Sequence, residues 1–165
     1  MHRAIGSGHA VRKEIATIGY QAATVRTFLE ALARHRIDLL VDVRAVAGSR
    51  RAGFAKSALA ANLQGADIEY LHLKGLGTPA EGRAAARAGR HAEMRRIFER
   101  HMKTPGAQAE LEALAQIVRS GRRACLLCLE ADPAHCHRSM VAAALGERVP
   151  LHVTHLAPRI EEADR

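Results

Sequence analysis

The segment Ile37-Asp-Leu-Leu-Val-Asp-Val43 decides the fold class, because it is nearly continuous in apolar residues. A strand that is covered on one face alternates apolar and polar residues, whereas a strand buried on both faces is apolar almost throughout. The run Ala124-Cys-Leu-Leu-Cys-Leu129 has the same character. Two such strands predict a sheet that carries helices on both of its faces.

Weaker strand signals and amphipathic segments surround these two runs. Further strands are predicted at residues 14–18, 68–73 and 151–155. Apolar residues recur at helical spacing after Thr24, a predicted N-cap, after Ser57, through residues 83–102 and 111–118, and after Cys136. Alternation of strands and helices is typical of a mostly parallel sheet. The sequence therefore predicts a three-layer, Rossmann-like α/β fold of about five strands.

The length of 165 residues suits one domain, and 48% of the residues are hydrophobic. We predict a flexible lead-in at residues 1–13, a single domain at 14–156 and a polar tail at 157–165. No apolar run approaches the roughly 18–20 residues that a membrane span requires. The first residues also lack the apolar core of a secretory signal.

The cysteines and the charge indicate the compartment and the class of partner. All three cysteines lie between residues 125 and 136, and an odd, clustered number is a poor disulfide framework. We therefore expect a cytoplasmic protein. The formal net charge of +8 suggests an anionic ligand such as phosphate, a nucleotide or nucleic acid, although Arg-rich composition also arises without such a partner.

Polar side chains follow the predicted strands, at the carboxyl edge where ligands bind in open α/β sheets. Those after the first three strands are Tyr20, Arg44, Ser49, Arg50 and His72. After the fourth strand, Cys128 and Glu130 share a face because side chains alternate along a strand. A charge at the end of an apolar strand needs a partner. Arg44 or Arg138 is expected to pair with Glu130, either facing substrate or tying the strand ends together.

The segment around Cys136 allows several chemistries. A thiol at a helix start, beside His137 and Arg138, can have a depressed pKa and act as a nucleophile; an uncharged, packed cysteine is the alternative. Zinc binding and a Cys128–Cys136 redox pair are further alternatives. The spacing lacks the Cys-x2-Cys pair of strong zinc motifs, so no metal ligand is assigned.

Arginines on the predicted helix of residues 83–102 form a charged face, with Arg83, Arg87 and Arg90 on one side. Such a run is usually a solvated surface. Aromatic residues amount to 3% of the chain, which argues against single-strand nucleic-acid binding by base stacking.

Four motifs together resemble a known family. They are Thr17-Ile-Gly-Tyr20; Leu40-Val-Asp-Val-Arg44 with Ser49-Arg50; Tyr70-Leu-His-Leu-Lys-Gly-Leu-Gly77; and Leu127-Cys-Leu-Glu130 with Cys136-His-Arg138. From about residue 17 to residue 145, the chain resembles the DUF488 family of domains of unknown function. The resemblance implies a role for the same polar residues that the strand ends indicate, and it implies no particular reaction.

The leading hypothesis is an enzyme that acts on a phosphorylated, nucleotide-like or nucleic-acid substrate at the carboxyl edge. Glu130, Cys136 and His137 are the predicted catalytic residues. The predicted anion- or substrate-binding residues are Arg44, Ser49, Arg50, Arg138, Tyr20, His72 and Cys128. The alternatives are a nucleotide- or nucleic-acid-binding module without catalysis, and a thiol redox or metal-binding protein.

Overall fold

Five parallel strands form one sheet in the computed structural model of the chain, which describes residues 12–160. The spatial order is β3-β2-β4-β1-β5. The strands are β1 (Lys13–Gly19), β2 (Leu39–Asp42), β3 (Glu69–His72), β4 (Ala124–Cys128) and β5 (Leu151–Leu156). The chain thus places β4 at the centre of the sheet, between the two strands that begin the fold.

Six helices surround the sheet within the described residues. They are α1 (Val25–Arg34), α2 (Lys56–Gln64), α3 (Ala80–Arg87), α4 (His91–Met102), α5 (Pro105–Arg119) and α6 (His137–Gly146). Single turns of 3-10 helix lie at Lys74–Leu76 and Pro133–His135. No helix in the part of the chain that the structure describes is long and apolar enough to cross a bilayer.

Two apolar cores lie on opposite faces of the sheet. One contains Phe28 and Leu32 of α1 with Leu59 and Leu63 of α2. The other is formed by helices α3 to α6 and includes Phe98. The three-layer α/β fold predicted from the apolar strands is therefore confirmed.

The local helix signals agree with the structure except in one place. The Thr24 side chain caps α1 by accepting from the Thr27 amide. The single helical region predicted for residues 83–102 is divided into α3 and α4. Gly89 between them has φ +77, a left-handed conformation that ends a helix. The predicted lead-in and tail lie mostly outside the described residues.

The ends of β1 and β4 meet closely at Gly19. This glycine is paired with Cys128 in the parallel register. A Cβ atom at residue 19 would lie 1.7 Å from the carbonyl oxygen of Glu130. The amides of Tyr20 and Gln21 donate to the carbonyls of Cys128 and Leu129, at 3.3 and 2.9 Å. The absence of a side chain at Gly19 therefore allows the segment after β4 to lie against the end of β1.

We expect Gly19→Ala to reduce the free energy of unfolding by at least the roughly 1–3 kcal/mol typical of an overpacked site. The clash is with main chain, which cannot rotate away. Urea denaturation, monitored by circular dichroism, measures the loss. Gly106→Ala is the matched control, because a Cβ there meets nothing within 4 Å and alanine favours the helix. Equal stability of the two variants would contradict the close approach at Gly19.

Candidate active site

A cavity of about 260 Å³ opens at the carboxyl edge of the sheet. Its base is formed by the ends of β2 and β4 together with the start of α6. Its wall is formed by α3 and by the turn that precedes α6. The lining includes Tyr20, Arg44, Arg83, Arg87, Cys128, Glu130, His135 and His137. Five of the ten predicted site residues thus line the same cavity.

Arg44 is buried and forms an ion pair with Asp42. Its guanidinium donates to both oxygens of that carboxylate, at 2.9 and 2.7 Å. It also donates to the Tyr20 hydroxyl at 3.2 Å and to the Phe54 carbonyl at 2.8 Å. Burial alone lowers the pKa of Arg44, but the hydrogen bonds and charge of Asp42 raise it above the ordinary value. The Tyr70 hydroxyl binds the same carboxylate at 2.5 Å, and burial together with this bond raises the Tyr70 pKa.

Arg138 is fully buried and has three neutral acceptors among the described residues. It donates to the Thr17 hydroxyl at 3.1 Å, to the main-chain carbonyl of Glu130, and to the Ala131 carbonyl at 3.2 Å. The bond to Glu130 is therefore made through the main chain, not through the carboxylate that sequence reasoning expected. These contacts favour a positioning role, in which Arg138 holds the segment after β4.

Glu130 lies half-buried beside the thiol of Cys128, which donates to its carboxylate at 3.5 Å. Within residues 12–160, its carboxylate forms no ion pair with Arg44 or Arg138, because Arg44 pairs with Asp42 and Arg138 binds neutral groups. Glu130 lines the cavity. Proton transfer to or from a bound molecule is the chemistry this position allows.

Cys136 and His137 begin α6 and are both buried. Burial raises the pKa of the Cys136 thiol well above its ordinary value, and its contact with Cys128 raises it further. This direction is opposite to the depression that a helix start beside cations favours. The packed, uncharged thiol is therefore the form of Cys136 expected in the free protein at neutral pH.

Three predicted residues lie away from the base of the cavity. The His72 imidazole contacts the main-chain carbonyl of Arg44 at 2.7 Å. The Ser49 hydroxyl accepts from the Arg51 amide at 3.1 Å, and Arg50 is exposed on the same loop. The contacts of His72 and Ser49 support the loop after β2.

Sequence reasoning assigned Arg83 and Arg87 to a solvated helix face, yet both line the cavity. Arg83 is half-buried and donates to the Thr78 carbonyl at 2.9 Å. Arg87 lies one helical turn later and is exposed. His135 also lines the cavity, and its ring packs against His91 in a tilted arrangement with centroids 4.6 Å apart. The spacing of four residues between the two arginines was the signal available in the sequence.

Comparison with known proteins supports the resemblance noted in the motifs. The family model described as Domain of unknown function DUF488 matches residues 24–145. No curated protein and no solved structure matches the chain. The matched residues include Arg44, Glu130, Cys136, His137 and Arg138, and they cover most of the chain. The chain therefore belongs to the DUF488 family.

Proposed function

We propose that the protein is an enzyme that acts on a phosphorylated or nucleotide-like substrate in the cavity at the carboxyl edge. The observation that carries this proposal is the distribution of charged and polar side chains around the cavity. Arg83 and Arg87 stand on the wall, while Glu130, Cys128 and His137 lie at the base. A cationic wall binds an anion, and the groups at the base can exchange protons with it.

Arg83 and Arg87 are better placed to bind the anion than Arg44 and Arg138. Arg44 already binds a carboxylate, and Arg138 has no exposed surface. Neither α3 arginine forms an ion pair within the described part of the chain. Their guanidinium groups therefore retain donors for phosphate oxygens.

Glu130 is the proposed acid or base. It is half-buried, faces the cavity and contacts the Cys128 thiol, so it can protonate or deprotonate a bound group. The neutral thiol of Cys136 lies beside the His137 imidazole and would act as a nucleophile only after losing its proton during the reaction.

We expect inorganic phosphate or a nucleoside phosphate to raise the melting temperature. At a hundredfold excess over Kd, the stabilisation is roughly 2.7 kcal/mol, a shift of several degrees for a chain of this length. Arg87→Ala should remove most of the shift. Arg34→Ala is the matched control, since it deletes an exposed arginine from α1 on the opposite face.

Phosphate release from a panel of phosphate esters and nucleotides then separates an enzyme from a binding module. Glu130→Gln should abolish release while retaining the thermal shift, because it removes the proposed acid or base and leaves the arginines of the cavity wall in place. Thermal shifts without turnover of any panel member would favour the binding module. The absence of any shift in wild-type protein would contradict the proposed substrate class.

A further inference from the structure

Three side chains with metal-binding atoms converge at the base of the cavity. The Nδ1 atom of His137 lies 3.4 Å from the sulfur of Cys128 and 3.9 Å from the sulfur of Cys136. All three ligand atoms lie within 4.8 Å of one another, and all three residues are buried. In tetrahedral zinc sites, Zn–S near 2.3 Å and Zn–N near 2.0–2.1 Å place sulfur and nitrogen about 3.5 Å apart. The arrangement therefore matches the spacing of zinc ligands.

The orientation of His137 points the correct nitrogen at the two sulfurs. Its Nε2 atom lies 2.7 Å from the carbonyl oxygen of Val43. Because a carbonyl only accepts, Nε2 carries the hydrogen, and the Nδ1 lone pair of the neutral ring faces the thiols. A metal-binding histidine commonly donates its other N–H to a carbonyl or carboxylate in this way. The Phe98 ring, 5.4 Å away between centroids, packs against the imidazole.

The three residues lie where the end of β4 meets the start of α6. Cys128 ends β4, Cys136 precedes α6 and His137 is its first residue. The intervening segment is held by Arg138 through the carbonyls of Glu130 and Ala131. The third cysteine, Cys125, belongs to the apolar core on the other face of the sheet.

We propose that Cys128, Cys136 and His137 bind a divalent zinc-like metal ion, with its fourth coordination position directed into the cavity. Metal binding would displace the thiol protons of Cys128 and Cys136 into solvent. The resulting two thiolates and one neutral imidazole suit zinc, because two negative charges balance the charge of the ion. Cys128 and His137 line the cavity, and the carboxylate of Glu130 stands beside Cys128. Three protein ligands with one open position are typical of catalytic zinc, whereas structural sites have four protein ligands.

This inference goes beyond the proposed phosphate chemistry and does not depend on it. A metal at this position would polarise an oxygen atom of a bound molecule or water, next to the carboxylate of Glu130. Metal binding is tested independently, by the absorption spectrum of the bound metal and by the number of metal ions per chain. Metal binding without phosphate-induced stabilisation supports this inference alone, and the reverse result supports the proposed function alone.

The first experiment measures metal directly. Protein purified without added metal should contain about one zinc per chain by mass spectrometry. Apoprotein prepared with a chelator should bind one equivalent of Co²⁺, with thiolate-to-cobalt charge-transfer absorption and tetrahedral ligand-field bands. Cys136→Ser should remove or strongly weaken these bands. Cys125→Ser is the matched control and should retain them, because Cys125 faces the opposite core.

A second measurement uses wild-type protein and so remains informative if a cysteine variant does not fold. Zinc should protect Cys128 and Cys136 from alkylation, mapped by peptide mass spectrometry, and a chelator should remove that protection. Reduced wild-type protein that shows neither cobalt–thiolate bands nor zinc-dependent protection would overturn the proposal. A Cys128–Cys136 disulfide formed by protein that takes up no metal would overturn it in favour of a redox pair.

Discussion

Asp42→Ala is expected to lower the free energy of unfolding by about 3–5 kcal/mol, the usual cost of removing one partner from a buried ion pair. Asp42 has no exposed surface and binds Arg44 through both carboxylate oxygens. Its loss leaves a buried guanidinium without a counter-charge and removes the acceptor of the Tyr70 hydroxyl. Urea denaturation, monitored by circular dichroism, measures this change in the free energy of unfolding.

The chain contains a matched surface pair for comparison. Asp38 binds Arg122 at 3.0 Å, but its side chain is 48% exposed. Solvent-exposed ion pairs contribute about 0–1 kcal/mol, so Asp38→Ala should have a small effect. The double variant Asp42→Leu/Arg44→Met should be less destabilised than Asp42→Ala, because it leaves no buried charge. If Asp42→Ala costs no more than Asp38→Ala, the buried pair does not stabilise this fold.

Arg138→Ala is the second substitution for which we expect a large effect, about 3 kcal/mol or more. The change removes a fully buried side chain and leaves the carbonyls of Glu130 and Ala131 without their donor. Arg138→Lys should rescue little, because one ammonium group does not reproduce the planar fork that reaches three acceptors. Thermal and urea unfolding measure both variants.

Arg138→Ala also distinguishes an arginine that positions the main chain from one that binds a substrate anion. Arg34→Ala, which deletes an exposed arginine of α1, should leave stability nearly unchanged. If the main role of Arg138 is instead to bind a substrate anion, Arg138→Ala should cost little stability. Unchanged or increased stability together with loss of the phosphate-induced shift would therefore support the anion-binding role that the sequence predicts for Arg138.

Much of the fold could be predicted because its signals are local. The apolar runs that became β2 and β4 are buried on both faces, as their composition required. Thr24 caps α1 because its hydroxyl reaches an amide three residues away. The break between α3 and α4 was missed, although Gly89 marks it, since the helical spacing of charged residues continues past the glycine.

The partners of the arginines could not be predicted because they depend on distances across the chain. Arg83 and Arg87 look like a solvated face in sequence, and only the packing of α3 beside the strand ends brings them to the cavity. Arg138 looks like a free cation beside a reactive cysteine, yet it is buried against Thr17 of β1, 121 residues away. Sequence spacing does not indicate which of several arginines donates to neutral oxygen atoms.

By itself, the sequence determined the α/β class and indicated the edge of the sheet where polar residues gather, because periodicity and strand ends are properties of contiguous residues. The family followed from the resemblance of its motifs. Only the tertiary structure decided the state of each side chain there. It paired Arg44 with Asp42, buried Arg138 and brought two thiols and an imidazole of a Cys-x7-Cys-His segment within 4.8 Å of one another. The physical reason is that burial and hydrogen-bond partners depend on which strands become neighbours in space.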